Sequence, residues 1–166
     1  MQNDVLELLT NLKKTLESRS ETVATAESCT GGILATFLTH LPGSSKSYLG
    51  GVSAYANSVK SNLLGVDPQL IAEHGAVSAP VVQSMALGAR SKIGATYALA
   101  LSGVAGPGGG SPAKPVGTVY CGFASPAGVT AFLWQISGDR EKIRQEAAIR
   151  ALQMLKRALD EASKAI

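Results

Sequence analysis

The chain has 166 residues, 18 of them glycine, with 45% hydrophobic residues, 16% charged residues and a net charge of +3. The hydrophobic content excludes a disordered protein, and the small net charge argues against a broad nucleic-acid surface. No apolar run reaches the roughly 18 residues that a bilayer span needs, so no membrane partner is expected.

The length suggests a single domain over residues 1–166. Residues Asn3 to Arg19 read as a helix rather than a signal peptide, with Val5, Leu8, Leu9, Leu12 and Leu16 on its apolar face. Thr22 to Ala26 is short and β-branched, a strand. Gly31 to Leu41 reads as a helix ending before Pro42-Gly43. Ser47 to Tyr55 reads as a strand, with a bend or bulge at Gly50-Gly51. Asn57 to Leu64 and Pro68 to His74 are short helices, and Ser78 caps a longer one running to about Lys92. Thr96 to Ser102 is a strand apolar on both faces. Val116 to Ala124 and Val129 to Ile136 form a hairpin about Ser125-Pro-Ala-Gly128. The last helix starts near Gly138 and is expected to bury Ile143, Ala147, Ala151, Met154, Ala158 and Ala162. The fold class is α/β, a layered α/β/α sandwich with a mixed central sheet: parallel crossovers early, a hairpin late.

Cys29 and Cys121 form no metal spacing, and neither His40 nor His74 sits in a ligand motif, so neither a metal nor a cofactor is expected. Without an export signal, both cysteines read as reduced thiols of a cytoplasmic protein. Between residues 20 and 138 the only charges are Glu21, Glu27, Lys46, Lys60, Asp67, Glu73, Arg90, Lys92 and Lys114. Each therefore asks for a reason.

Four clusters bear on chemistry. Glu27-Ser28-Cys29-Thr30-Gly31-Gly32 follows a strand and opens a helix, where ligands collect in α/β sheets and free N–H groups attract an anion. The alternative is an ordinary helix cap, but Glu27 is costly in an apolar body unless paired. Tyr55 with Lys60 could activate a serine, since burial lowers a lysine's pKa towards neutrality; otherwise Lys60 is a solvated helix residue. The loop from Ser102 through Gly103 and Gly106 to Ser111 offers a backbone wall for a ring or nucleotide, or is merely flexible. Arg140 and Arg144, one helical turn apart, could clamp a phosphate or belong to a solvated face.

Five motifs stand in order along the chain: Thr25-Ala-Glu-Ser-Cys-Thr-Gly-Gly32, Gly75-Ala-Val-Ser78, Ser102-Gly-Val-Ala-Gly-Pro107, Lys114-Pro-Val-Gly-Thr118 and Gly138-Asp-Arg140. Together they resemble the CinA carboxy-terminal domain family over about residues 5 to 160. The resemblance implies a stand-alone nicotinamide-nucleotide amidohydrolase, without the molybdopterin-protein-like domain that larger members carry. The implied activity converts nicotinamide mononucleotide and water to nicotinate mononucleotide and ammonia within the pyridine nucleotide cycle. It also implies a Ser/Lys/Tyr arrangement, which falls on Ser28, Lys60 and Tyr55. Two positions depart from the family pattern: Ser102 stands where Thr is usual, and Gly108 where Asp is common.

On this reading Ser28 attacks the carboxamide, Lys60 takes its proton directly or through Tyr55, and N–H groups of Thr30 to Gly32 stabilise the oxyanion. Thr30, the Ser102 to Gly106 loop and Arg140 or Arg144 would hold ribose and phosphate. Glu27 would orient Lys60 or bind ribose. Two rivals stand beside it: a non-catalytic nucleotide-sensing or protein-interaction module linked to competence or DNA damage, and an amidase using Cys29. A homodimer is expected from the apolar body and terminal helices.

Overall fold

A computed structural model describes residues 3–164. Its elements are α1 (Asn3–Ser18), β1 (Val23–Glu27), α2 (Ile33–Leu38), a 3-10 turn (Ser44–Lys46), β2 (Tyr48–Ser53), α3 (Asn57–Leu64), α4 (Pro68–His74), α5 (Ala79–Ile93), β3 (Tyr97–Gly103), β4 (Thr118–Ser125), β5 (Gly128–Gln135) and α6 (Arg140–Lys164). The five strands form one sheet in the order β2-β1-β3-β4-β5. β1 runs parallel to β2 and β3, while β3, β4 and β5 run antiparallel in turn, so the mixed sheet matches the expected parallel start and late hairpin.

The central strands alternate large and small residues, and this sorts the two layers. Val23, Leu99, Leu101 and Val119 face α1, α2 and α6, in a core with Leu12, Leu16, Leu152 and Leu155. Ala24, Ala26, Ala98, Ala100 and Ala124 face the other way, against Val81, Val82, Met85 and Ala86 of α5 and Leu64 of α3. Small side chains on that face let α5 lie close to the sheet. The approach is tightest at Gly122, where an added Cβ would stand 2.2 Å from the Val82 carbonyl oxygen. Backbone cannot yield there as a side-chain tip could. Gly122→Ala should therefore destabilise the fold by about 1–3 kcal/mol, read as a lowered midpoint in urea at unchanged slope. An unchanged midpoint would show that α5 can shift outward freely.

Several expected boundaries move. The second helix is expected from Gly31 but begins at Ile33, because Gly31 and Gly32 both take positive φ, 60° and 106°. β2 is shorter than expected, and its pairing with β1 skips Leu49, which places a bulge beside Gly50. Ser78 sits at the N-cap of α5 but donates to the Gly75 carbonyl at 2.8 Å instead of capping. In α6, Ile143, Ala147 and Ala151 are buried as expected, whereas Met154 and Ala158 are half-buried and Ala162 is exposed. The buried stripe runs instead through Ala148, Leu152, Leu155 and Leu159. Burying a leucine contributes about 1.5–3 kcal/mol against ~0.8 for one methyl, so the helix turns its leucines inward.

Candidate active site

The carboxyl ends of β1, β2 and β3 meet in register, Glu27 lying opposite Ser53 on one side and Leu101 on the other. The chain then leaves the sheet. The Ser28 N–H donates to the Leu101 carbonyl at 2.8 Å, and the Ala54 N–H to the Glu27 carbonyl at 2.7 Å. These two bonds fix Ser28 between the ends of β2 and β3. After β2 the chain turns into α3, whose first turn swings Lys60 back under the same point.

Lys60 is 1% exposed, and its Nζ lies 3.0 Å from Ser28 Oγ, 2.9 Å from the Ala54 carbonyl and 3.1 Å from the Tyr55 carbonyl. Burial lowers its pKa from the usual lysine range, and no carboxylate contacts it to oppose that among the described residues. A neutral amine has two N–H bonds and one lone pair. With the two carbonyls accepting the N–H bonds, the lone pair is left for the Ser28 hydroxyl. The same three neighbours satisfy an ammonium once it has gained a proton.

Tyr55 does not stand between these two residues. Its hydroxyl is 3.1 Å from Nη2 of Arg140 at the rim, and the residue is 62% exposed; only its carbonyl touches Lys60. A Tyr55 relay is therefore unnecessary in this geometry, because Lys60 reaches Ser28 directly.

Glu27 corrects the sequence expectation most clearly. It makes no hydrogen bond or salt bridge to Lys60 among the described residues. Gly32, Leu34 and Ala35 donate their N–H groups to its carboxylate at 3.0, 3.0 and 2.8 Å, so this buried acid caps α2 from within the chain. The anion expected at that helix start is the protein's own side chain. Gly31 N–H is also occupied, by the Ser28 carbonyl at 3.1 Å. The expected oxyanion donors at Gly31 and Gly32 are thus spent. Among the described residues, the N–H groups of Cys29 and Thr30 donate to no protein acceptor. Thr30 is wholly buried, and its hydroxyl has no partner among the described residues.

The remaining residues tie the loops around this point. Arg144 donates from Nε to the Cys29 carbonyl and from Nη2 to the Thr30 carbonyl, both at 3.0 Å, pinning the segment after Ser28. Arg140 donates from Nη1 to the Gly106 carbonyl at 2.8 Å. Ser102 is 1% exposed and donates to the Ala76 carbonyl at 2.8 Å, so its hydroxyl serves the fold and not an open pocket. Gly103 likewise packs against β4, where an added Cβ would lie 2.7 Å from the Thr118 carbonyl oxygen. Lys114 Nζ donates to the His74 carbonyl at 2.9 Å, which joins the glycine-rich loop to the Gly75–Ser78 motif. The geometry thus brings Ser28, Lys60, Cys29, Thr30 and Arg144 together and sets Tyr55, Arg140 and Gly106 at the rim.

Cys29 is 6% exposed, and burial pushes its thiol up to about 11, with the Glu27 charge adding to the effect. A thiol so placed holds almost no thiolate near neutral pH, so it is a poor nucleophile. Cys121 is buried in the core, with its pKa raised by burial. No group of three His, Cys, Asp or Glu residues able to hold a metal occurs among the described residues, and no described helix is long and apolar enough to cross a membrane.

The CinA C-terminal domain family model matches residues 6–159. A CinA-like protein of Cyanothece sp. is 51% identical over 150 residues, covering 89% of this chain and 36% of that protein. One of Anaeromyxobacter sp. is 52% identical over 144 residues, covering 87% and 35%. The chain spans about a third of the length of these curated relatives. The crystal structure of competence/damage inducible protein CihA from Agrobacterium tumefaciens superposes with a TM-score of 0.92 at 37% identity, covering 96% of this chain and 98% of that one. A CinA superfamily protein from Klebsiella pneumoniae gives 0.91 at 35% identity, covering 96% and 99%.

Proposed function

The chain belongs to the CinA C-terminal domain family, and from that premise we propose that it is an amidohydrolase that converts nicotinamide mononucleotide to nicotinate mononucleotide and ammonia. The observation that carries the chemistry is the 3.0 Å approach of the buried Lys60 Nζ to Ser28 Oγ. The choice of substrate rests on the family resemblance.

In the first half of the reaction Ser28 Oγ attacks the carboxamide carbon, and its proton passes to the neutral Lys60 amine. The carbonyl π electrons move to oxygen. Cys29 N–H, one residue past the nucleophile, and Thr30 N–H, both without a protein acceptor among the described residues, are the donors available to that oxyanion; one such donor supplies ~3–4 kcal/mol of transition-state stabilisation. Lys60 then gives its proton to the departing nitrogen. The C–N bond breaks, ammonia leaves, and an ester joins Ser28 to the nicotinate carbonyl. In the second half Lys60 takes a proton from water as the water attacks that ester, and returns it to Ser28 Oγ. Arg140 and Arg144 each keep N–H groups beyond those bound to backbone carbonyls, and these can meet phosphate. Tyr55, beside Arg140, belongs to the substrate-binding rim in this account.

The rival reading, a nucleotide-sensing or protein-interaction module without turnover, has no use for a buried amine held against a serine. Incubating the purified chain with nicotinamide mononucleotide separates the two. The enzyme reading expects one ammonia per nicotinate mononucleotide formed, over many turnovers. Calorimetric binding of the mononucleotide with no ammonia would favour the sensor.

A further inference from the structure

Three consecutive peptides follow Ser28, and each has its carbonyl occupied. The Ser28 carbonyl accepts the Gly31 N–H at 3.1 Å, and the Cys29 carbonyl accepts Nε of Arg144 at 3.0 Å. The Thr30 carbonyl accepts Nη2 of Arg144 at 3.0 Å and the Ile33 N–H at 3.3 Å. These peptides are trans, and in a trans peptide the N–H points opposite to the C=O. Whatever grips a carbonyl therefore aims the N–H of the same peptide. The Cys29 N–H shares its peptide with the Ser28 carbonyl, so a turn of the segment itself aims it. The Thr30 N–H shares its peptide with the Cys29 carbonyl, which no donor but Arg144 meets among the described residues. One of the two open donors is thus set locally, and the other by a side chain 115 residues further along.

We propose that Arg144 is a positioning residue of the reaction: its guanidinium aims and polarises the Thr30 N–H as the second oxyanion donor, and so governs the rate more than the affinity. The proposal rests on the amidohydrolase reading and deepens it. The side chain suits the task. The Nε–H and one Nη2–H of a guanidinium leave it in parallel along one edge, a rigid fork that here meets two consecutive carbonyls. A charged donor on the Cys29 carbonyl also polarises that peptide and strengthens its N–H as a donor. Packing holds the fork in place. Gly31 has a φ of 60°, and a Cβ added there would stand 3.2 Å from Arg144 Nη2, so the segment lies directly against the guanidinium. Arg144 touches neither reacting side chain. Among the described residues Lys60 Nζ bonds only to Ser28 Oγ and to the Ala54 and Tyr55 carbonyls. Arg140, one helical turn earlier, bonds instead to the Gly106 carbonyl and the Tyr55 hydroxyl, both at the rim.

Turnover of nicotinamide mononucleotide by Arg144→Ala tests this, together with calorimetric binding of the mononucleotide in a Ser28→Ala background with and without the same change. Arg144→Ala should lower kcat about 100-fold, the scale of one lost oxyanion donor. Both halves of the reaction pass through an oxyanion, so kcat falls whichever half limits it. Affinity should fall by no more than about tenfold, the split expected when an interaction is made in the transition state alone. Arg144→Lys should lose nearly as much kcat, because an ammonium keeps the charge but lacks the parallel pair of N–H bonds. It also serves if Arg144→Ala fails to fold. In both variants the rise of kcat/KM with pH should keep its wild-type midpoint, since the base is untouched. Four results overturn the proposal: kcat within about threefold of wild type in Arg144→Ala, an affinity loss as large as the kcat loss, full kcat in Arg144→Lys, or a moved midpoint, which would place the effect on Lys60. Each of these leaves the amidohydrolase reading standing. A wild type that releases no ammonia would remove that reading and the role of Arg144 with it.

Discussion

Ser28→Ala is expected to lower turnover of nicotinamide mononucleotide by up to about a millionfold, the scale seen when a serine nucleophile is removed from a comparable catalytic unit. The fold should not suffer. Among the described residues the only side-chain hydrogen bond of Ser28 is the one from Lys60, whose amine keeps the Ala54 and Tyr55 carbonyls. Affinity for the mononucleotide should stay within a few-fold, because Arg140, Arg144 and the surrounding loops are untouched. Ammonia release and calorimetric binding check the two halves. A loss of binding matching the loss of rate would move Ser28 from nucleophile to substrate contact.

Lys60→Met should cost nearly as much, and the Ser28→Ala/Lys60→Met pair little more than either change alone, since the two residues act as one unit. The pH dependence gives a second readout. Only the neutral amine can take the serine proton, so wild-type kcat/KM should rise with pH through the lowered Lys60 pKa. The same shift acts on stability. An unfolded lysine binds its proton at its ordinary value of 10.5, whereas the buried one gives it up at lower pH. Between those two values the unfolded chain holds more protons, so wild-type stability relative to Lys60→Met should fall as pH falls. Below the folded value the penalty is fully present and constant. A stability difference flat across that range would mean that Lys60 is not desolvated as described.

Much of this architecture was legible in the sequence because its signals are local. The apolar heptad-like spacing of Val5, Leu9, Leu12 and Leu16, the β-branched run opening β1 and the turn before Gly128 each specify an element without help from the rest of the chain. The scarcity of charge also pointed correctly at Glu27 and Lys60 as residues needing partners. What those partners are was not legible. Glu27 is bound by N–H groups five, seven and eight residues on, and only the two positive-φ glycines that bend the chain back bring them there. Composition shows the glycines but not the direction of the bend. Lys60 meets Ser28 across 32 residues, a contact made by the parallel register of β1 with β2. Tyr55 illustrates the converse. It lies five residues from Lys60, yet its side chain points to an arginine 85 residues away. The free N–H of Cys29 could not be seen either, since it emerges only by subtracting every bond the fold makes.

Turnover by this route requires that Ser28, deprotonated by Lys60, form an ester with the substrate acyl group. Acid quenching of the wild-type chain during turnover of nicotinamide mononucleotide, followed by peptide mass analysis, tests it directly. The peptide containing Ser28 should carry the nicotinate mononucleotide acyl group, the adduct should be absent from Lys60→Met, and Ser28→Ala should neither carry it nor release ammonia. Steady ammonia release by Ser28→Ala at the wild-type rate would rule out Ser28 as the nucleophile.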